Sequence, residues 1–430
     1  MKIFVYDEYT PEDMAMMQAL YSRSALSVVE HVEKVKASGS GSFMERFYVG
    51  YGHASIADCG STTLFIEGVS MLAAKAIQDW SLYSGQETSS RYIDFTNQKI
   101  EDPVGTTESK NILAKWLKFY IESNPRLIEF LKEKYPIKEG EKEGVYDKAI
   151  QARAFDILRG FLPAGITTQL SWHTNLRQAH DKLTIMRHHP LKEIRAIAEE
   201  IESLLKSRYP HSFEFPIIEE QESYREFLGE KYNYFLPTEK PQELICTTNI
   251  KPEELAKYTD IIEKRPAKTG FPHFMTELGT VTFDYLLDFG SFRDIQRHRN
   301  GVCRMPLLTT DFGFSNWYLE QLPEDLRIIA DKLISEQKEA IVKLNVSPEV
   351  KQYYIALGFN IAGRNTYGLP AAAYVIELRS GKPVHPSLRQ LVHKMYYAVI
   401  EKLPGLKLHV DLDKDDWDVR RGLQDIEEKK

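Results

Sequence analysis

Arg297-His298-Arg299 concentrates two guanidiniums and an imidazole in three consecutive positions. So many N–H donors in a small volume can hold a pyrophosphate, because guanidinium forks match phosphate oxygens. A solvated helix end or a DNA-contacting patch has the same composition. A second polar run, Ser84-Gly85-Gln86-Glu87-Thr88-Ser89-Ser90-Arg91-Tyr92, lies far upstream. Its Glu87, Ser89, Arg91 and Tyr92 include the hydroxyl and cationic donors that a nucleoside monophosphate needs around its phosphate. In an extended segment Ser89 and Arg91, two apart, point the same way. A polar loop after a helix uses the same residue types, so local chemistry leaves both readings open.

Each run follows a strand and a helix. Ser61-Thr62-Thr63-Leu64-Phe65-Ile66-Glu67 is rich in strand formers and stops at Gly68. Val69, Leu72, Ala73, Ala76, Ile77 and Trp80 then recur at helical spacing. In the second half Thr280, Thr282 and Asp284 alternate with Val281, Phe283 and Tyr285, as a half-buried strand requires. Phe289, Phe292 and Ile295 mark one side of the helix that follows, while Arg293 and Arg297 share another. Further on, Leu162-Pro163 opens an apolar stretch, predicted helical, that leads to Ile185-Met186-Arg187. A helix with Pro190 near its first turn then carries Leu191, Ile194, Ile197, Ile201 and Leu204 inward. The second half answers with Val375-Ile376-Glu377-Leu378-Arg379, then Pro386 and a helix bearing Leu388, Leu391, Val392, Met395 and Val399. The same order of landmarks occurs twice, which predicts a tandem repeat.

These patterns predict an α/β chain of the α+β type: two related units, each a small twisted sheet packed with long helices. The first unit is expected over 1–208, with an insertion at about 96–148 whose Ile112, Leu113, Trp116, Leu117, Tyr120 and Ile121 keep helical spacing. A linker region at 209–242 holds Pro210, Pro216, Pro237 and Pro241, interrupted by a charged, Pro-free stretch from Ile218 to Leu228. The second unit is expected over 243–407, followed by a charged tail at 408–430.

The 430 residues are enough for roughly two to three domains with a sizeable core. A composition of 43% hydrophobic and 27% charged residues is that of a globular protein. The net charge of -7 argues against a dedicated nucleic-acid binder. Cys59, Cys246 and Cys303 are widely separated and form no metal pattern, so reduced thiols and no metal are expected. No secretory signal or long apolar run stands out, and a cytoplasmic protein without a membrane span is expected.

In the flavin-dependent thymidylate synthases both polar runs occur in one stretch: Arg-His-Arg, then within a dozen residues Asn-Glu-x-Ser-x-Arg-Tyr. This chain resembles that family with the motif divided. Glu87, Ser89, Arg91 and Tyr92 keep the second piece, while Asp79-Trp80-Ser81 stand where Arg-His-Arg is expected. The other half keeps Arg297-His298-Arg299, but Leu307 stands at the motif serine. Further elements are similar in order: Arg159-Gly160-Phe161-Leu162-Pro163, Trp172-His173-Thr174-Asn175-Leu176-Arg177, and Gly52-His53-Ala54-Ser55-Ile56-Ala57-Asp58 with aspartate in place of glutamate. Arg187 falls at the family arginine that contacts the uracil ring, with one extra residue intervening. The second half keeps Arg379 and Arg389-Gln390, has Gly368-Leu369-Pro370 in place of Asn-x-Arg, and shows no match to Arg159.

The resemblance implies reductive methylation of deoxyuridine monophosphate to thymidine monophosphate. It implies FAD as cofactor, with methylenetetrahydrofolate and NADPH as co-substrates. Arg187 would polarise the pyrimidine. Glu87, Ser89, Arg91, Tyr92 and Arg159 would bind the nucleotide, and His53, Ser55, Asp58, Asn175, Arg177, Arg297, His298 and Arg299 would hold FAD. The second copy is expected to have lost its own substrate site, and each copy to supply a different share of a composite one. Because the family assembles as homotetramers, a homodimer imitating four units is expected. The alternatives are a non-catalytic or repurposed flavin- or nucleotide-binding relative and, third, a nucleic-acid-interacting protein.

Overall fold

The computed structural model describes residues 8–22, 24, 26–91, 93–237 and 241–413. Tyr92 and the predicted tail beyond 413 lie outside the described residues. Strand β1 spans Ser61–Ser70, running past the expected stop at Gly68, which takes φ 69°. Glycine enters that region without the steric cost of a Cβ. Ser70 Oγ then accepts the Ala73 N–H at 3.0 Å and starts the helix Met71–Gln78, so Val69 belongs to the strand and Trp80 lies beyond the helix.

The stretch from Leu162 to Met186 is not one helix. It holds strand β2, Thr167–Asn175, and then the helix Leu176–Met186. Thr167, Thr168 and Thr174 favour the pleated backbone. Exposed Gln169 and His173 alternate with buried neighbours, the period-2 signature. Asn175 ends the strand, its side chain accepting the Gln178 N–H at 2.8 Å.

In the second half, β3 (Leu244–Thr248), β4 (Thr280–Asp288), β5 (Val302–Arg304) and β6 (Asn360–Gly368) form an antiparallel sheet in the order β3-β4-β6-β5. Asp288 caps the helix Phe289–Ile295 through the Ser291 N–H at 2.8 Å. The repeat shows in element lengths. β2 and β6 both have 9 residues, the helices Leu176–Met186 and Leu369–Arg379 both 11, and the helices Lys192–Arg208 and Pro386–Lys402 both 17. The 3-10 turns Arg159–Phe161 and Gln352–Tyr354 precede β2 and β6, so Gln352 stands where the first half has Arg159.

Two compact units result, and neither is a sequence half. One comprises 1–67, 76–87 and 169–233; the other comprises 68–75, 88–168 and 234–430. The first contains β1 up to Glu67, β2 from Gln169, the helices Leu176–Met186 and Lys192–Arg208, and the helix Glu219–Tyr232 inside the predicted linker. The predicted insertion folds as the helix Thr107–Lys134 and the start of the helix Glu143–Leu158, and both belong to the second unit. They enter its core: the Trp116 indole donates to the Tyr354 carbonyl at 2.9 Å, and Phe119 packs on Phe161 with centroids 4.5 Å apart. Emptying a buried site such as Trp116 by truncation to alanine costs about 3–5 kcal/mol. Among the described residues no helix is long and apolar enough to cross a membrane.

Candidate functional site

The second unit contains residues from both pieces of the divided motif. At Ser90 and Arg91 the chain turns, with Ser89 Oγ accepting the Arg91 N–H at 3.2 Å, so Ser89 and Arg91 do not share one face of an extended segment. Arg91 grips Asp156 with two bonds, Nε to Oδ1 at 2.8 Å and Nη2 to Oδ2 at 3.1 Å, and donates Nη1 to the Pro383 carbonyl at 3.1 Å. Burial alone would lower its pKa; Asp156 more than offsets this and raises it. Ser90 takes a partner from the other sequence half, accepting Arg293 Nη1 at 2.8 Å. Arg159 is 2% exposed and donates Nη2 to Ser291 Oγ at 3.0 Å, again joining the halves.

Asp294 is the centre of this cluster. Burial would raise its pKa, but Arg297, Arg159, Arg91 and Arg379 outweigh that and hold it well below the usual carboxylate range. Arg297 Nη1 lies 3.7 Å from its carboxylate, and Arg379 Nη2 donates to its backbone carbonyl at 3.0 Å. Arg379 also donates Nε to His298 Nε2 at 2.7 Å. His298 therefore accepts at Nε2, and burial followed by the Arg379 charge pushes its pKa down to about 3. Arg91, Arg159, Arg293, Arg297, Arg299 and Arg379 outnumber Asp156, Asp288 and Asp294, six to three, leaving a field that attracts anions.

A cleft of about 490 Å³ opens on this cluster, lined by Arg297, His298, Arg299, Arg379, Tyr367 and Tyr374 among others. The size suits a small-molecule or cofactor site. Guanidiniums beside aromatic rings suit a ligand that carries both phosphate and planar rings. The second copy thus retains a cationic cleft.

The other predicted residues group in the first unit. Arg177 pairs with Asp58 through Nε to Oδ1 at 2.7 Å and Nη2 to Oδ2 at 2.6 Å, and Asn175 Nδ2 donates to the same Oδ1 at 3.2 Å. Asp58 lies in the 3-10 turn Ala54–Cys59, which also carries exposed Ser55 and is preceded by His53 beside Phe47 and Tyr51. Glu87 accepts from Gln78 Nε2 at 2.8 Å. Where Arg-His-Arg is replaced, Lys182 donates to the carbonyls of Ala76 at 2.8 Å and Asp79 at 2.9 Å and sits 5.9 Å from the Trp80 ring centre. Burial lowers the pKa of Lys182 to about 8. Arg187 is held by Glu202 at 3.5 Å and Glu222 at 3.3 Å.

Ser90, Asp156, Asp294 and Ser291 were not legible as site residues. For Arg293 the sequence signals are the face it shares with Arg297 and its place among the basic residues Arg297, Arg299 and Arg304. Among the described residues no cluster of three or more His, Cys, Asp or Glu side chains could hold a metal.

A "UPF0159 protein" of Chlamydia muridarum is 28% identical, covering 85% of this chain and 79% of the relative. Another from Chlamydia pneumoniae is 24% identical over 89% of this chain and 83% of the relative, and one from Thermoplasma acidophilum is 22% identical over 92% and 94%. Residues 7–211 match the family described as "Thymidylate synthase complementing protein". Over those residues the chain is similar to that family.

Proposed function

We propose that this chain methylates deoxyuridine monophosphate reductively, with FAD as cofactor and methylenetetrahydrofolate and NADPH as co-substrates. The observation that carries this reading is the set of charges around Asp294: Arg91 and Arg159 from one sequence half, Arg297 and Arg379 from the other. A phosphate dianion would offset the surplus of positive charge there, and charged hydrogen bonds of this kind each contribute about 1.5–3 kcal/mol.

The cleft fits a flavin nucleotide in donor type. Arg297, His298 and Arg299 would hold its pyrophosphate, and Tyr367 and Tyr374 would face its rings. Bound FAD, once reduced by NADPH, would supply the hydride that completes the methyl group. The protein's share is positioning and charge. Of the two candidate arginines, Arg187 is occupied by Glu202 and Glu222, whereas Arg379 lines the cleft and is oriented by His298. We therefore assign polarisation of the pyrimidine to Arg379. In the same reading Asp58, Asn175 and Arg177 form a further flavin-contacting group in the first unit.

A second reading, a relative that binds nucleotide or flavin without turnover, draws support from Arg91, whose three nitrogens are all engaged by Asp156 and Pro383. The test is the visible absorption of the purified protein, followed by assay of thymidine monophosphate with all co-substrates present. Flavin absorption with turnover supports the first reading; flavin or nucleotide binding without turnover leaves the second. A colourless protein that binds no deoxyuridine monophosphate removes both.

A further inference from the structure

Arg159 lies too deep to be aimed by solvent, and its Nε meets no acceptor among the described residues. Two hydroxyls hold its guanidinium, Ser291 Oγ accepting from Nη2 at 3.0 Å and Tyr318 as a second hydrogen-bond partner, and both belong to the surroundings of Asp288. The Ser291 hydroxyl belongs to a closed polar network. Asp288 Oδ1 accepts the Ser291 N–H at 2.8 Å and the Tyr318 hydroxyl at 2.7 Å, and Oδ2 accepts the Ser387 hydroxyl at 2.5 Å. Ser291 Oγ lies 2.8 Å from Ser387 Oγ and 3.2 Å from His385 Nδ1, and Ser387 Oγ lies 2.9 Å from that same nitrogen.

The proton positions follow from the partners. His385 Nε2 faces the Asp156 carbonyl at 3.3 Å, which can only accept, so Nε2 carries the ring proton. Burial keeps the imidazole neutral, holding its pKa well below the ordinary value. Nδ1 is then an acceptor. Ser387 donates its proton to Asp288, so the Ser291 hydroxyl must donate toward His385 or Ser387. Its lone pairs are left facing Arg159. Whichever of the two takes its proton, the Ser291 oxygen acts as an acceptor toward Arg159.

The geometry points to a positioning device: Asp288, His385 and Ser387 fix the Ser291 hydroxyl so that Arg159 is aimed at the phosphate of the bound nucleotide. This rests on the functional reading above. A purely structural network would hold the fold together without any bearing on anion affinity. Gly160 belongs to the same arrangement, since a Cβ there would come within 2.7 Å of the Tyr318 ring and push it from Asp288.

The test is titration of flavin-loaded wild type, Ser291→Ala, Ser291→Thr and Ser387→Ala with deoxyuridine monophosphate, inorganic phosphate and deoxyuridine. Ser291→Ala should bind nucleotide and phosphate roughly ten- to a hundredfold more weakly, with deoxyuridine affinity and flavin content unchanged. Ser291→Thr should restore binding, which a general packing defect would not. Ser387 is half-buried at the edge of the network, so Ser387→Ala should fold and give a smaller loss; it decides the matter if Ser291→Ala does not fold. Wild-type affinity for phosphate and nucleotide in both alanine variants overturns the inference alone. A wild-type chain that binds phosphate but no nucleotide removes the functional reading, and the variants then judge the positioning on phosphate. Binding of neither ligand by wild type removes both.

Discussion

Pro163 and Ala356 face each other across an antiparallel bridge, and they are the same position in the two repeats, each four residues past the start of its 3-10 turn. The flanking bonds come in exchanged pairs. Ala164 N–H to the Ile355 carbonyl at 2.8 Å is matched by Leu357 N–H to the Leu162 carbonyl at 2.8 Å. Gly165 to Tyr353 at 2.9 Å is matched by Gly358 to Gly160 at 2.7 Å. Contacts in which i meets j and j meets i are the mark of a two-fold interface. Within the second unit the chain therefore reproduces a symmetric contact between repeats, and Arg159 and Gln352 begin the two loops that make it. Only one of those loops keeps the cation.

Asp156→Asn tests whether the cluster is an anion site. The substitution leaves the buried Arg91 charge without its carboxylate partner, and breaking such a pair costs about 3–5 kcal/mol. An anion that enters the cluster would return part of that stability. Urea unfolding should show a large drop for the variant, with phosphate raising its midpoint more than that of wild type. Equal phosphate effects in the two proteins would count against an anion at Arg91.

Arg379→Lys and Arg187→Lys separate the two candidates for the uracil-facing arginine. Lysine keeps the charge and loses the planar fork. At Arg379 the fork is used twice, toward His298 and the Asp294 carbonyl, so turnover should fall roughly tenfold or more while flavin is retained. At Arg187 a lysine can still meet Glu202 or Glu222, and turnover should stay within about twofold. The opposite ranking would return the role to Arg187.

The elements around these residues were legible where the pattern was local. Thr280 to Tyr285 alternate cleanly and form β4, and Pro386 opens its helix where proline at the first turn predicts. β2 is masked in the sequence because Leu162 to Met186 is apolar at both ends, and only Thr167, Thr168 and Thr174 signal the strand. The division of the chain into units was not legible, since residues 88–168 belong with the second sequence half only through packing. Likewise nothing near Arg91 in sequence announces Asp156, and nothing marks Asp294 as the point where four arginine fields meet. Long-range charge pairing leaves no periodicity to read.

The assembly expected from the family resemblance is a homodimer, because one chain already holds two repeats. We propose two chains in solution, each bringing the first-unit group of Asp58, Asn175 and Arg177 and the second-unit arginine cluster. Light scattering should give twice the 49.7 kDa of one chain. A monomer at assay concentration that still turns over would show that one chain completes the site.

Acid should destabilise the fold in a definite window, and the histidines set it. Burial pushes both His189 and His298 down to about 3, from an ordinary 6.5, and His385 well below that ordinary value. Between those limits the unfolded chain binds more protons than the folded one, so stability rises with pH and falls as pH drops below about 6.5. At pH 5 His189 and His298 each account for about 2 kcal/mol of lost stability. Asp294 works at lower pH, since its depressed pKa preserves its contribution until the solution is strongly acid. Glu12 opposes the trend, because burial raises its pKa and its folded form takes up a proton first. Urea midpoints should therefore fall between pH 7 and pH 5, and His298→Gln should flatten part of that fall. The same substitution links stability to the site. Neutral His298 accepts from Arg379, and a proton on its ring would set two positive charges against each other beside the cleft. Flavin retention should accordingly weaken with acid in wild type and less so in His298→Gln. A midpoint that stays level from pH 7 to pH 5 would mean that these imidazoles are solvated, and the orienting role of His298 would go with it.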